Sequence, residues 1–151
     1  YCLVFVFDEF YICYNVFMNE NYLLAHIGQY ALIKNNENKV LLLERVRSRT
    51  WCLPGGRLNE NEEWDVALLR EMKEEIGLEC SNPKPFAVNI LKDDYQTKYC
   101  AYFTLVCSNV STLQISTEHS NLGWFASEDI KNLEIEDNKV KTVVLDYLDQ
   151  Y

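Results

Sequence analysis

Residues 69–78, LREMKEEIGL, gather three carboxylates, Glu71, Glu74 and Glu75, at the end of an expected helix closed by Gly77. That end is the negative pole of the helix dipole, and like charges at i,i+4 cost a further ~0.2–0.5 kcal/mol per pair. No Lys or Arg stands at 75, 78 or 79 to offset them. A cluster of this kind is either a solvated charged face or a place kept for a ligand that relieves the repulsion. A divalent cation such as Mg²⁺ is such a ligand, because it takes oxygen donors and works with a few carboxylates, waters and substrate phosphates. The chemistry within reach is therefore metal-supported chemistry on a phosphate-bearing substrate.

On a helical wheel Leu68, Leu69, Met72 and Ile76 gather on one side. The three acids gather on another, roughly 120° away. Ala67, one turn before Glu71, lies in the acidic sector, and its small side chain leaves space there. Just upstream, LPGG (53–56) reads as a loop whose glycines let backbone come close to an ion, with a carbonyl as a further oxygen ligand.

The elements that must position this cluster follow from periodicity. HIGQYALI (26–33) and KVLLLERV (39–46) read as strands joined by an NNEN turn. Residues 61–76 read as a helix with Glu62, Glu63 and Asp65 in its first turn. PFAVNIL (85–91), YCAYFTLVC (99–107) and LGWFA (122–126) read as strands. SEDIKNL (127–133) reads as a short helix with Ser127 as N-cap, and KVKTVVLDYL (139–148) as an amphipathic helix. The pattern predicts an α+β or three-layer arrangement, a mixed sheet carrying a central and a C-terminal helix.

The 151 residues suit one domain, and 48% hydrophobic with 25% charged residues is a globular composition. A net charge of −9 argues against a protein that wraps duplex nucleic acid through a basic surface. The six cysteines form no C-x-x-C pair, and several sit in apolar runs, which predicts reduced, buried thiols in a cytoplasmic protein. Residues 1–17 are rich in aromatics, lack basic residues and are too short to span a bilayer. They read either as sequence upstream of a natural start at Met18 or as an added strand or interface arm able to support a homodimer. Residues 18–151 are then the single domain.

Gly56, Glu62, Arg70, Glu71, Met72, Glu74, Glu75, Gly77 and Leu78 stand at the spacing G-x5-E-x7-R-E-U-x-E-E-x-G-U, with U apolar. The stretch GRLNENEEWDVALLREMKEEIGL resembles the box of the Nudix hydrolase superfamily at every position, and the order of flanking elements is similar over most of residues 22–150. The resemblance implies a Nudix fold, a mixed sheet sandwiched between helices as α/β/α layers. It implies Mg²⁺- or Mn²⁺-dependent hydrolysis of nucleoside diphosphates linked to another moiety. Glu71 and Glu75 would be metal ligands, Glu74 a ligand or the water-orienting base, and the Gly55 carbonyl a further ligand. Arg70 would orient a box carboxylate, Glu62 would pair with Arg70, and Gly56 and Gly77 would shape the box.

Substrate choice lies outside the box. Arg45, Arg47, Arg49 and Arg57 are candidates to meet a phosphate, Glu118 is a candidate further carboxylate, and Asn121 stands where many relatives carry Glu. Tyr95, Tyr99, Tyr102, Phe103, Trp51 and Trp124 offer either stacking faces or core. The expected substrate is a small nucleotide, with oxidised dNTPs slightly ahead of nucleotide sugars, ADP-ribose and dinucleoside polyphosphates. The alternative is a catalytically silent Nudix-fold module that binds nucleotides or a protein. An isoprenoid diphosphate isomerase is disfavoured, because two histidines give little material for its metal site.

Overall fold

The apolar runs YAL and VLLL, in β3 (His26–Leu32) and β4 (Val40–Arg45), are buried throughout. Strands covered on both faces need no polar alternation, which is why these segments read as continuous hydrophobic stretches. They form the centres of two sheets in a computed structural model that describes residues 2–7, 10–15, 25–92, 97–108 and 110–150. The first sheet has the order β6-β3-β8-β7, adding β6 (Gly55–Arg57), β7 (Cys80–Lys92) and β8 (Thr97–Cys107). The second has the order β5-β4-β9, adding β5 (Trp51–Cys52) and β9 (His119–Phe125). β3 and β8 run parallel and the other pairs in these two sheets are antiparallel.

Alternate residues of the strands feed two cores. Ala31, Ile33, Leu41 and Leu43 pack with Leu68, Met72 and Ile76 of α1 (Trp64–Ile76). Tyr30, Leu32, Val40 and Leu42 pack instead with Ile130 of α2 (Ser127–Asn132) and with Val140, Val143, Val144 and Leu148 of α3 (Asn138–Asp149). Helices therefore cover both faces of the strands, the expected α/β/α layering. Near the N-terminus, β1 (Cys2–Phe7) and β2 (Phe10–Asn15) pair antiparallel as a separate two-stranded sheet. The candidate start Met18 and Tyr95 lie outside the described residues.

Several boundaries differ from the sequence reading. β7 begins at Cys80 rather than residue 85 because it is an edge strand. There Pro83 and Pro85 break no ladder, and the pairing with β8 shifts register between Ser81 and Lys84 and between Pro85 and Ala87. The Pro-Gly-Gly segment is not a plain loop: Gly55–Arg57 pairs with β3, and the Ala31 amide donates to the Pro54 carbonyl at 2.8 Å. At α2 the N-cap is Ala126, not Ser127. Asp129 supplies the acceptor for the Ala126 amide, at 2.9 Å.

Cysteine usage is also corrected. Cys80 and Cys107, directly opposite on β7 and β8, are disulfide-bonded, whereas Cys52 and Cys100 are free and buried as expected. Antiparallel pairing brings together two residues 27 apart in sequence, a proximity no local spacing displays. Among the described residues no helix is long and apolar enough to cross a membrane.

Candidate active site

The end of α1 is set by Gly77, whose left-handed φ of 70° turns the chain while its amide bonds the Lys73 carbonyl at 3.2 Å. Leu68, Met72 and Ile76 face the core, so the acids of the last turns are aimed at β6 and its glycines. A Cβ at Gly56 would run into the Glu71 carboxylate, and one at Gly55 into the Gln29 carbonyl. Gly55 also has φ +140°, a region closed to most side chains. The bare position at Gly56 thus lets α1 bring Glu71 against the strand backbone, and the one at Gly55 lets β6 close on β3. Ala67 does not leave open space as expected; it is itself buried.

Glu75 is the innermost acid, only 8% exposed. Its Oε2 accepts a 2.7 Å hydrogen bond from the Gly55 amide, and its Oε1 lies 3.8 Å from Nε2 of buried His119. His119 in turn lies 3.8 Å from Cys52 Sγ through Nε2 and 3.2 Å from Ser116 Oγ through Nδ1. Burial pushes the Glu75 carboxyl up to about 7, with Glu71 and Glu118 adding to the rise and the Gly55 amide opposing it. Burial also holds the His119 imidazole below its usual range, with the Arg45 charge adding to that shift.

Arg70 organises the other acids. Its Nε and Nη2 grip both oxygens of Glu62 at 2.8 and 3.1 Å, a bidentate pair. Its Nη1 reaches Glu71 Oε1 at 2.9 Å and Glu74 Oε2 at 3.0 Å. The sequence argument that nothing offsets the acids is corrected here, since Arg70 compensates two of the three from within the helix. The hydrogen bonds to Glu62 hold the Arg70 guanidinium above its usual range, and the same contact lowers the Glu62 carboxyl.

These groups border a cleft of about 540 Å³. Glu71, Glu74, Glu75 and Glu118 line it together with Gly55, Gly56, Arg57 and Arg45. The expected carboxylate outside the box, Glu118, and the expected Arg57 are therefore brought to the acids. Arg47 is not; it borders a neighbouring cavity of about 470 Å³ with Arg45, Val46, Thr117 and Glu118. Glu62, Arg70 and Gly77 do not line the cleft; Arg70 holds the lining acids Glu71 and Glu74, Glu62 holds Arg70, and Gly77 ends the helix. Arg49 pairs with Glu44 at 3.1 Å, and Asn121 is the β-ladder partner of Glu44. Tyr102 and Phe103 are buried, the latter stacked on Trp64, and Trp51 meets Phe125 edge-on, so these aromatics serve the core. Tyr99 is 38% exposed and does not line the cleft.

Two cleft residues escaped the sequence reading, Lys98 and Tyr30. Neither belongs to a motif, and only the parallel pairing of β3 with β8 joins them.

The donor set suits a hard divalent cation. All candidate ligands are oxygens, and a carboxyl raised toward neutrality by burial, with acidic neighbours adding to the rise, is the state a cation relieves. Among the described residues the acids do not already converge into a three-donor cage, because Glu71 and Glu74 each give Arg70 one oxygen.

With fold and cleft defined, the comparisons with known proteins agree on one class. A profile of the NUDIX domain matches residues 24–146, and the chain belongs to that family. It is 32% identical over 105 residues to the uncharacterized Nudix hydrolase YvcI of Bacillus subtilis, a match covering 67% of this chain and 66% of that protein. It is 34% identical over 56 residues to an RNA pyrophosphohydrolase of Pseudomonas paraeruginosa, covering 37% of this chain and 35% of the relative. It is 26% identical over 97 residues to a Bacillus subtilis protein provisionally named an 8-oxo-dGTP diphosphatase, covering 64% of each. The chain thus spans just under two thirds of the first of these relatives and about a third of the second. Among solved structures, the MutT protein of Methanosarcina mazei Go1 superposes with a TM-score of 0.70 at 26% identity, over 85% of this chain and 96% of that one.

Proposed function

We propose that the cleft hydrolyses a phosphoanhydride bond in small nucleotides, nucleoside diphosphates linked to another moiety, with Mg²⁺ or Mn²⁺ as cofactor. The observation that carries this reading is Glu75. It is a carboxyl raised by its burial, with Glu71 and Glu118 adding to the rise, and fixed by the Gly55 amide in a cleft that also holds Arg57. In this reading residues 18–151 act as one catalytic domain and residues 1–17 are an extension outside it.

Glu71, Glu75 and the Gly55 carbonyl would hold the metal, with Glu118 as a further oxygen donor at the rim. When bound, the cation supplies acidification of the attacking water and shielding of charge on the phosphate oxygens. Glu74, exposed on one side and oriented by Arg70, accepts the proton of that water. The water oxygen bonds to phosphorus as the bridging P–O bond breaks, and the departing phosphate leaves with the bridging oxygen. Arg57 holds a phosphate in line for that displacement. Arg70 positions Glu71 and Glu74, and Glu62 positions Arg70. Oxidised deoxynucleoside triphosphates are the first substrates to test, which the resemblance to the 8-oxo-dGTP diphosphatase supports. The intact Arg70–Glu71–Glu74 network disfavours a silent binding module, which has no use for so many acids.

The test is phosphate and pyrophosphate release from dNTPs, oxidised dNTPs, nucleotide sugars, ADP-ribose and dinucleoside polyphosphates, with Mg²⁺, Mn²⁺ or EDTA. We expect metal-dependent turnover that Glu75→Gln lowers by roughly 100-fold or more. Silence of the folded wild type across the panel removes the hydrolase reading.

A further inference from the structure

Lys98 sits on β8 directly opposite His26 of β3, yet its side chain does not stay over its own strand. It crosses β3 at Gly28, where a Cβ would come within 2.6 Å of Lys98 Cε and 3.1 Å of the Tyr30 ring. The ammonium donates to the Tyr30 hydroxyl and lies 4.8 Å from the centroid of the same ring. Tyr30 gives it a rigid base: it is 2% exposed and stacks on Tyr102, whose own hydroxyl bonds Asn89 Oδ1 at 3.2 Å. A glycine trough and a buried phenol thus hold a lysine head at the edge of the cleft.

The partners of that head are neutral. Arg70 is committed to three glutamates and Arg45 to Glu136 at 3.2 Å, whereas among the described residues Lys98 makes no ion pair. Four carboxylates share its cleft, so an ordered but unpaired ammonium keeps its charge for a ligand. Its direction is also defined. Gly28 pairs with Arg57 and Lys98 with His26, two residues along β3, so Lys98, Gly28 and Arg57 share the sheet face that Tyr30 turns toward α3, while Glu71 and Glu75 arrive from α1 on the opposite face. The cleft therefore has an acidic pole and a cationic pole, with the bare backbone of Gly55 and Gly56 between them.

We propose that Lys98 is a specificity-determining residue that binds the free terminal phosphate of a triphosphate, making an uncapped triphosphate end the preferred substrate class. A terminal phosphate carries nearly two charges at pH 7 and three acceptor oxygens, whereas a phosphate capped by a sugar or second nucleoside carries one charge. A point-charge ammonium discriminates between the two by charge. This inference rests on the hydrolase reading above, but its test does not depend on turnover.

The experiment compares wild type, Lys98→Gln and Lys98→Arg, each checked for folding by thermal melting. Calorimetry measures inorganic tripolyphosphate binding in Mg²⁺, and kinetics measure KM and kcat for an uncapped and a capped substrate. Tripolyphosphate affinity should fall about ten-fold or more in Lys98→Gln and largely return in Lys98→Arg. KM for the uncapped substrate should rise by a similar factor, with a clearly smaller rise for a dinucleoside polyphosphate and a lesser change in kcat. A free nucleotide and the 5′ end of an RNA are separate arms, and the arm that the wild type turns over must show this Lys98 dependence. Gly28→Ala, which displaces the lysine stem, should weaken tripolyphosphate binding in the same direction. Unchanged tripolyphosphate affinity in folded Lys98→Gln, or equal KM rises for capped and uncapped substrates, overturns the assignment even where Glu75→Gln abolishes turnover. Lys98-dependent binding by a protein that hydrolyses nothing sustains it while the hydrolase reading fails.

Discussion

The Gly55 amide donates to Glu75 Oε2 at 2.7 Å, tying the last turn of α1 to the short edge strand β6. The bond fixes one carboxylate oxygen on backbone and leaves the other turned toward His119. Gly55 has φ +140°, and a Cβ there would strike the Gln29 carbonyl of β3, so this position of β6 takes only a glycine. Gly55→Ala should lower stability by about 1–3 kcal/mol, the usual cost of forcing a side chain into such a conformation. It should also weaken Mn²⁺ binding. Urea melts and metal titration of the same variant check both effects.

The pH dependence of the metal-free protein follows from Glu75. Its folded-state value of about 7 lies above the ordinary 4.5, so between those limits the folded chain binds more protons than the unfolded chain. Stability is then fully present below about 4.5, declines as pH rises and is lowest above about 7. The expected loss is on the order of 3 kcal/mol. Denaturant melts from pH 4.5 to 8 in EDTA should show this slope, and Glu75→Gln should flatten it. Added Mg²⁺ should stabilise the wild type more at pH 8 than at pH 5, since binding competes with the proton.

Arg70 serves three acids with one planar fork, and a lysine has no such geometry. Arg70→Lys should keep the helix and the charge but lose the simultaneous grip on Glu62, Glu71 and Glu74. Turnover should fall by roughly 10–100-fold, the scale seen when groups orienting metal ligands are changed. A variant with wild-type kcat and Mn²⁺ affinity would show that the network is structural.

The Cys80–Cys107 bond closes a loop across the β7–β8 pair. Its removal should cost about 2–4 kcal/mol by freeing the unfolded chain. Peptide mapping under non-reducing conditions should recover the linked pair, and Cys80→Ser should reproduce the stability of the reduced wild type. Recovery of both peptides with free thiols would contradict the pairing.

How legible each part was depends on how local it is. The box lies within 23 consecutive residues, and helical periodicity alone puts Glu71, Glu74 and Glu75 beside one another, whereas Glu62, which lies before the helix rather than in its first turn as read, reaches Arg70 through the turn that precedes α1. The helix end at Gly77, the two core faces and the order of most elements follow from similarly short-range patterns. The reading failed where long-range pairing decided the outcome, as at β7, whose prolines are harmless because no described strand pairs beyond that edge.

The rest of the cleft is assembled from distant segments. Glu118 reaches the acids from the turn before β9, and Arg45 is held by Glu136, 91 positions away. Lys98 meets Tyr30 across 68 positions through a parallel strand pair. Single residues of common types carry no signal of such meetings, because parallel pairing and layer packing are settled by the burial of whole strands. By itself the sequence determined the acidic helix and the family to which its box belongs, since both are written at helical spacing. Only the tertiary structure decided that Arg45, Arg57 and Lys98 share a cleft with those acids, because strand pairing and layer packing bring them there from distant segments.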